Sequence, residues 1–312
     1  MLFVPYTADL RLAKVPWLTI AVSVLCLAIY AEQSNSDDAF DKATAEFCSG
    51  PQPRMFEIGV LEIAGTVGSD PCQDLLSKIY FSNEPTARIK ELLAETPAMA
   101  GLDRDQTHAY LATAIERQYR AYSAYVPADL TQQLWFLPST FNPWRMITSS
   151  FAHADWSHVI FNLIFFVAFA ATVEVCIGWA SYVAIVLGSS LFIGCSYALM
   201  SILAGEDVPT LGLSGVVMTM MTLLAFLLPK AKIRCFAWFV FFFWTIPVPV
   251  WLLALWYVGH NVSAVLTPNE GSTVNFLAHV AGAAFGYLVG VLFFQDRKTE
   301  VRQLARVGGV YA

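Results

Sequence analysis

The sequence has little charge. Of its 312 residues only 13% are Asp, Glu, Lys or Arg, whereas 57% are hydrophobic. Because soluble globular domains carry about 25% charged residues, this composition excludes an ordinary soluble protein and indicates a polytopic membrane protein. The sequence also lacks a basic patch of any size, which excludes nucleic acid as an expected partner.

The charges that are present are unevenly placed. Between Glu32 and Pro143 there are 16 acidic and 8 basic residues, a net charge of −8. This is the one long stretch of soluble composition, and we expect a small, mostly helical domain there. Periodic apolar residues and helix-start signals predict helices at Cys72–Tyr80, Pro85–Leu93 and about Asp103–Tyr125. Such a domain could contact a partner, or it could be a spacer without a binding role.

Six apolar segments are candidates for membrane-spanning helices, each of which needs about 20 mostly apolar residues. They are Val15–Ala31, Ser157–Val173, Trp179–Ala204, Leu213–Leu228, Ile233–Val258 and Val274–Phe294. The first is short and follows basic residues, so it could be a cleaved signal peptide. We favour a retained anchor, because six spans give a consistent topology.

Basic residues in short connections mark the cytoplasmic side of a membrane protein. With six spans, nine basic residues fall on one side: Arg11, Lys14, Lys230, Lys232, Arg234, Arg297, Lys298, Arg302 and Arg306. The opposite short connections hold Glu206, Asp207 and Glu270. We therefore expect both termini in the cytoplasm and the acidic insertion on the far face. The overall style of the sequence favours a bacterial inner membrane.

Four polar residues from three spans are predicted to share one depth in the membrane. Measured from the cytoplasmic helix ends, Ser214 lies roughly 22 Å up, His279 roughly 25 Å, His158 roughly 24 Å and Asn162 roughly 18 Å. Polar groups in a bilayer are costly unless they face the bundle interior, so they are candidates for function. A serine and a histidine at one level could form a nucleophile–base pair. Since the sequence has no convincing acid at that level, a two-residue Ser–His dyad is the most economical interpretation.

A packing role for the same residues stays open. Small residues often line contacts between membrane helices, and Ser214 lies between Gly212 and Gly215. The spacing of Gly282, Gly286 and Gly290 is also typical of close helix packing. A lone membrane histidine could likewise be a proton relay or a satisfied interior group.

Five motifs in order resemble the rhomboid family of intramembrane serine proteases. Their residues are Trp144 and Arg145 in "WR", His153, His158 and Asn162 in "HADWSHVIFN", Glu174 and Gly178 in "EVCIG", Gly212, Ser214 and Gly215 in "GLSG", and His279, Gly282 and Gly286 in "AHVAGAAFG". GxSG alone is a weak signal, but five motifs in this order are specific. Because Val216 follows Gly215, this is not the G-x-S-x-G elbow of soluble hydrolases.

The resemblance implies an all-α, six-helix rhomboid bundle that hydrolyses peptide bonds in single-pass membrane proteins within or near the lipid bilayer. It implies Ser214 as nucleophile and His279 as base. It also implies that His158, Asn162 and the backbone N–H of Ser214 bind the oxyanion, and that neither a metal nor another cofactor is needed. One position departs from the family pattern, because Met218 stands where an aromatic residue usually stacks on the histidine.

The predicted organisation has three parts. Residues 1–32 form the cytoplasmic N-terminus and first span, residues 33–130 the extracytoplasmic insertion, and residues 131–312 the core with five spans. Cys48 and Cys72 are the cysteines expected outside the membrane, and an oxidising compartment would allow a disulfide between them.

Two other functions compete with the protease. A catalytically inactive relative would bind membrane clients, but such proteins usually lose the serine or histidine motif, and both are present here. A small-molecule transporter would be expected to show an internal repeat with broken helices. Pro247 and Pro249 interrupt the fifth predicted span, but the sequence has no matching half.

Overall fold

The computed structural model describes most of the chain. The described residues are 2–10, 12–64, 70–205, 207–239, 242–267 and 274–306. Arg11, Glu206 and Glu270, whose charges entered the predicted topology, lie outside them. The chain divides into two compact units, an insertion unit of Gln33–Gln133 and a core unit of Met1–Glu32 with Leu134–Ala312.

The insertion unit is helical, and its three predicted helices are confirmed. The chain begins with strand β1 (Leu2–Ala8) and helix α1 (Trp17–Ser49), and the second half of α1 belongs to the insertion unit. The helices that follow are α2 (Arg54–Ala64), α3 (Pro71–Tyr80), α4 (Pro85–Leu93), α5 (Arg104–Tyr125) and α6 (Leu130–Leu134). Asp103 caps the start of α5 with a capping box. Its side chain accepts a hydrogen bond from the backbone N–H of Gln106, and the side chain of Gln106 accepts one from the backbone N–H of Asp103. A disulfide joins Cys48 to Cys72.

The core unit holds the apolar helices. Its remaining elements are α7 (Pro143–Thr148), α8 (Trp156–Ile177), α9 (Trp179–Ala204), α10 (Ser214–Leu227), strands β2 (Lys232–Phe239) and β3 (Phe242–Pro249), α11 (Val250–Leu266), α12 (Phe276–Phe293) and α13 (Gln295–Arg306). Within the described residues, four helices are long and apolar enough to cross a membrane, namely α1, α8, α9 and α12. Two further apolar helices are shorter: α10 lies at the fourth predicted span, and α11 overlaps only the end of the fifth.

The fifth predicted span, Ile233–Val258, is wrong for the residues before Val250, where α11 begins. Lys232–Phe239 and Phe242–Pro249 are paired antiparallel strands, and with β1 they make an antiparallel sheet in the order β1-β2-β3. Aromatic and β-branched residues favour strands, and Pro247 and Pro249 would each break a helix interior. Both prolines lie on β3, an edge strand, where a missing N–H is tolerated. Of this prediction, only Val250–Val258 falls on a helix, α11.

The first helix is tied to the core by a buried carboxylate. Glu174, near the end of α8, accepts hydrogen bonds from the backbone N–H groups of Leu18 (3.0 Å) and Thr19 (2.7 Å), and from the hydroxyl of Thr19 (2.7 Å). A negative charge is favourable at a helix N-terminus, where the first N–H groups lack partners within the helix. These contacts make α1 part of the folded core, which favours a retained anchor over a cleaved signal peptide.

Glycines bring α10 and α12 unusually close. A Cβ atom on Gly282 would collide with the carbonyl group of Gly215, and one on Gly286 would collide with that of Thr219. The hydroxyl of Thr222 also donates a hydrogen bond of 2.9 Å across the interface, to the carbonyl of Ala283. Small residues allow this backbone approach between membrane helices, and it fixes the positions of the two helices that carry Ser214 and His279.

Candidate active site

The serine stands at the first position of α10 because the preceding backbone has a conformation that only glycine adopts easily. Gly212 has a φ of 121°, and its N–H donates to the carbonyl of Ser149 at 2.8 Å. A Cβ on Gly212 would lie 3.0 Å from ring atoms of His158. Glycine therefore lets the chain turn into the helix while the imidazole of His158 packs against it.

The two predicted members of the dyad are in direct contact. The Oγ of Ser214 lies 2.7 Å from Nε2 of His279. The residues are 65 positions apart in the chain, and the close approach of α10 and α12 brings them together. In this arrangement His279 can accept the serine proton, which is the geometry that a nucleophile and its general base require. The catalytic roles themselves stay a prediction.

A third residue, Asn261 of α11, completes a chain of hydrogen bonds. Its Oδ1 lies 2.7 Å from Nδ1 of His279, and its Nδ2 donates to the carbonyl of Tyr257 at 2.7 Å. Sequence reasoning missed this residue, because the fifth span was placed too early and left Asn261 in a loop. A polar amide within an apolar helix was the signal that could have found it.

The residues predicted to bind an oxyanion line the same cavity. His158 and Asn162 lie on α8 and face a cavity of about 1150 Å³ that also includes Ser214 and His279. One N–H of the Asn162 amide donates to the carbonyl of His158 at 3.0 Å, which leaves its second N–H as a donor. Ser214 opens α10, so its N–H has no partner within that helix and adds a donor at the positive end of the helix dipole.

The position of His158 is fixed by its neighbours. Asp155 caps α8 and accepts the backbone N–H of His158 at 2.8 Å. The ring of His153 meets that of His158 edge to face, with 5.2 Å between centroids. His153 precedes α8 and is fully buried. Burial first, and the neighbouring His158 second, lower the pKa of His153 to about 4, so it is neutral at physiological pH and serves as a packing partner.

The cavity wall combines these polar groups with apolar side chains. Met218, one turn after Ser214, lies in the wall and is buried. Other apolar members are Met146, Phe161 and Ile193. Apolar neighbours lower the local dielectric around the serine and the histidine, which strengthens hydrogen bonds and electrostatic contacts made there.

The other predicted motif residues lie outside the cavity. Trp144 and Arg145 lie on α7, where both backbone N–H groups bind the capping side chain of Asn142. Glu174 binds the first turn of α1, and Gly178 joins α8 to α9 with a φ of 80°. These residues therefore shape the helix ends and connections of the fold and do not line the cavity. Cys48 and Cys72 belong to the insertion unit and are no part of the site.

Comparisons with known proteins agree with the resemblance to the rhomboid family. The Rhomboid domain model matches residues 140–296, which is half of the chain. The "RHOMBOID-like protein 12, mitochondrial" of Arabidopsis thaliana is 31% identical over 153 residues, covering 45% of this chain and 43% of that protein. The chain therefore spans less than half the length of this curated relative.

Proposed function

Because this multi-pass membrane protein belongs to the rhomboid family, we propose that it is an intramembrane serine endopeptidase with a Ser214–His279 dyad. The observation that carries the proposal is the 2.7 Å hydrogen bond between Ser214 Oγ and His279 Nε2, made inside a cavity between apolar helices. Its substrates are single-pass membrane proteins that are cut within or beside their membrane segment.

The chemistry follows from the positions of the groups. His279 removes the proton from the Ser214 hydroxyl as the oxygen attacks the scissile carbonyl carbon. The resulting oxyanion is stabilised by His158, the free N–H of the Asn162 amide and the backbone N–H of Ser214. His279 then donates its proton to the leaving amine, and an ester between Ser214 and the substrate remains. Water, activated by His279, hydrolyses that ester.

A catalytically inactive relative that only binds membrane clients is the competing function. The paired side chains argue against it, because client binding does not need a serine hydroxyl within 2.7 Å of a histidine nitrogen. Nor does it need hydrogen-bond donors directed at the same cavity. The word "mitochondrial" in the name of the Arabidopsis protein describes the location of that protein, and we do not transfer it to this chain.

The proposed topology places both termini in the cytoplasm and the insertion unit on the opposite side. The disulfide between Cys48 and Cys72 fits an oxidising compartment, such as the periplasm beside a bacterial inner membrane. A membrane-impermeant thiol reagent tests this topology on variants that carry one new cysteine in a background lacking all other cysteines. Asp103→Cys is expected to react from outside intact cells, whereas Lys232→Cys is expected to react only after lysis.

Cleavage of a purified reporter in reconstituted membranes tests the proposed function. The reporter carries one transmembrane segment with helix-destabilising residues. Ser214→Ala and His279→Ala are each expected to abolish its cleavage while leaving the protein folded. The matched control is Ser189→Ala, since Ser189 is a buried serine of α9 that donates to the carbonyl of Val186 and lies away from the cavity. Robust cleavage by Ser214→Ala would refute the proposal.

A further inference from the structure

Each ring nitrogen of His279 is hydrogen-bonded to a different helix. Nε2 meets Ser214 of α10, and Nδ1 meets the amide oxygen of Asn261 of α11, both at 2.7 Å. We propose that Asn261 is a positioning residue, which holds the imidazole of His279 in the tautomer and orientation needed to accept the serine proton. This inference rests on the proposed protease function.

The orientation of the Asn261 amide follows from its second contact. The carbonyl of Tyr257 can only accept a hydrogen bond, and it lies 2.7 Å from the amide nitrogen. The amide nitrogen therefore faces Tyr257, and the amide oxygen faces His279. An amide oxygen accepts only, so Nδ1 of His279 must carry the proton. Nε2 is then unprotonated and is the acceptor for the Ser214 hydroxyl. The backbone of α11 thereby selects the tautomer of a base on α12.

The surroundings explain why an amide suits this position. Asn261 is only 4% exposed, and an ionised carboxylate there would incur a large desolvation cost. The groups that face His279 from the neighbouring helices are His158, Ser214 and Asn261 itself. Among the described residues that line the cavity, Asp155 is the only one with a carboxylate. That carboxylate already accepts hydrogen bonds from the hydroxyl of Ser157 and the backbone N–H of His158. Asn261 is thus the polar partner available to Nδ1.

Three variants of α11 separate positioning from simple packing. Asn261→Leu keeps nearly the same volume and removes the acceptor, whereas Asn261→Asp keeps an oxygen facing Nδ1. Val262→Ala is the matched control, because Val262 is exposed and lies outside the cavity. General-base catalysis contributes about 10²–10⁴ in rate, and a misoriented base forfeits part of it. We expect Asn261→Leu to lower kcat about tenfold or more, with KM changed less than about twofold.

The pattern across the variants is the readout, measured on protein whose thermal unfolding matches the wild type. Asn261→Asp is expected to regain part of the kcat lost in Asn261→Leu, because it keeps an acceptor oxygen for Nδ1 but loses the donor to the carbonyl of Tyr257. A wild-type kcat for Asn261→Leu would overturn the inference, and so would equal losses in the two variants, because a packing role predicts that pattern. Cleavage by the wild type, together with its loss in Ser214→Ala, establishes the protease independently of this result.

The tautomer gives a second measurement that does not depend on activity or on the stability of the Asn261 variants. In wild-type protein labelled with ¹⁵N-histidine, NMR at neutral pH is expected to show His279 with a protonated Nδ1 and an unprotonated Nε2. The His279→Gln variant assigns the signal among the five histidines of the chain. The opposite tautomer would overturn the inference, even if the proposed protease function itself had failed.

Discussion

The carbonyl of Gly215 occupies the space that a side chain on Gly282 would need. Each glycine lies close in sequence to one member of the dyad, since Gly215 follows Ser214 and Gly282 is three residues after His279. The distance between serine and histidine is therefore set by backbone packing of α10 on α12. Thr219 strengthens this contact, because its hydroxyl donates to the Gly282 carbonyl at 2.9 Å.

Enlarging Gly282 is expected to separate the dyad. Gly282→Val would force two helix backbones apart, and overpacking of this kind costs about 1–3 kcal/mol. We expect a lower unfolding temperature and a loss of cleavage greater than the loss of folded protein. Gly259→Ala on α11 is the control, since a Cβ there meets open space. Full activity of Gly282→Val would show that the close approach is not needed for catalysis.

The donors on α8 are expected to act on the transition state. Removing one oxyanion donor typically lowers kcat by about 10²–10³, so Asn162→Ala and His158→Ala should slow turnover more than they weaken substrate binding. Steady-state kinetics on the same reporter separate kcat from KM. Wild-type turnover by both variants would leave these residues with a structural role only.

The carboxylate of Glu174 is expected to matter for stability and not for chemistry. Glu174→Gln removes the charge and replaces one acceptor oxygen with a donor at the start of α1. Losing hydrogen bonds to a buried charged group costs about 1.5–3 kcal/mol. Denaturant unfolding should therefore show lower stability, while kcat per folded molecule is kept. The comparison is Glu300→Gln, because Glu300 is exposed and pairs with Arg297 on the same helix. Equal stability of the two variants would contradict the assigned role.

The insertion unit is expected to be dispensable for hydrolysis of a generic reporter. The proposed catalytic residues all lie in the core unit, and the free-energy cost of closing a loop grows only slowly with its length. Replacing residues 34–127 with a short Gly/Ser linker should leave reporter cleavage largely intact. Cleavage of the native substrate should fall if the acidic, Tyr-containing unit recognises it. Complete loss of reporter cleavage by a folded truncation would make the unit part of the catalytic structure.

Much of the fold follows from local sequence signals. Apolar runs predict α8, α9, α10 and α12 closely, and the periodic apolar residues of the insertion predict α5. A shared depth for Ser214 and His279 could be predicted, because helical rise is constant and both helices were measured from their predicted cytoplasmic ends.

The hairpin and the third polar partner could not be predicted in the same way. An apolar, aromatic run such as residues 233–246 fits either a buried helix or a strand, and its strand pairing with β1 joins residues more than 220 positions apart. Because the fifth span was predicted to end at Val258, Asn261 fell in a predicted loop and not on a helix. Its contact with His279 depends on how α11 packs against α12, which no local pattern contains.

The most direct test of the dyad is the site of covalent labelling by a serine-reactive fluorophosphonate. The purified protein in detergent is treated with the probe, digested, and mapped by mass spectrometry, beside Ser214→Ala, His279→Ala and Ser189→Ala. The dyad predicts a single adduct on Ser214, which is kept in Ser189→Ala and absent when either Ser214 or His279 is replaced. Wild-type labelling of the His279→Ala variant, or an adduct on another serine in place of Ser214, would contradict it.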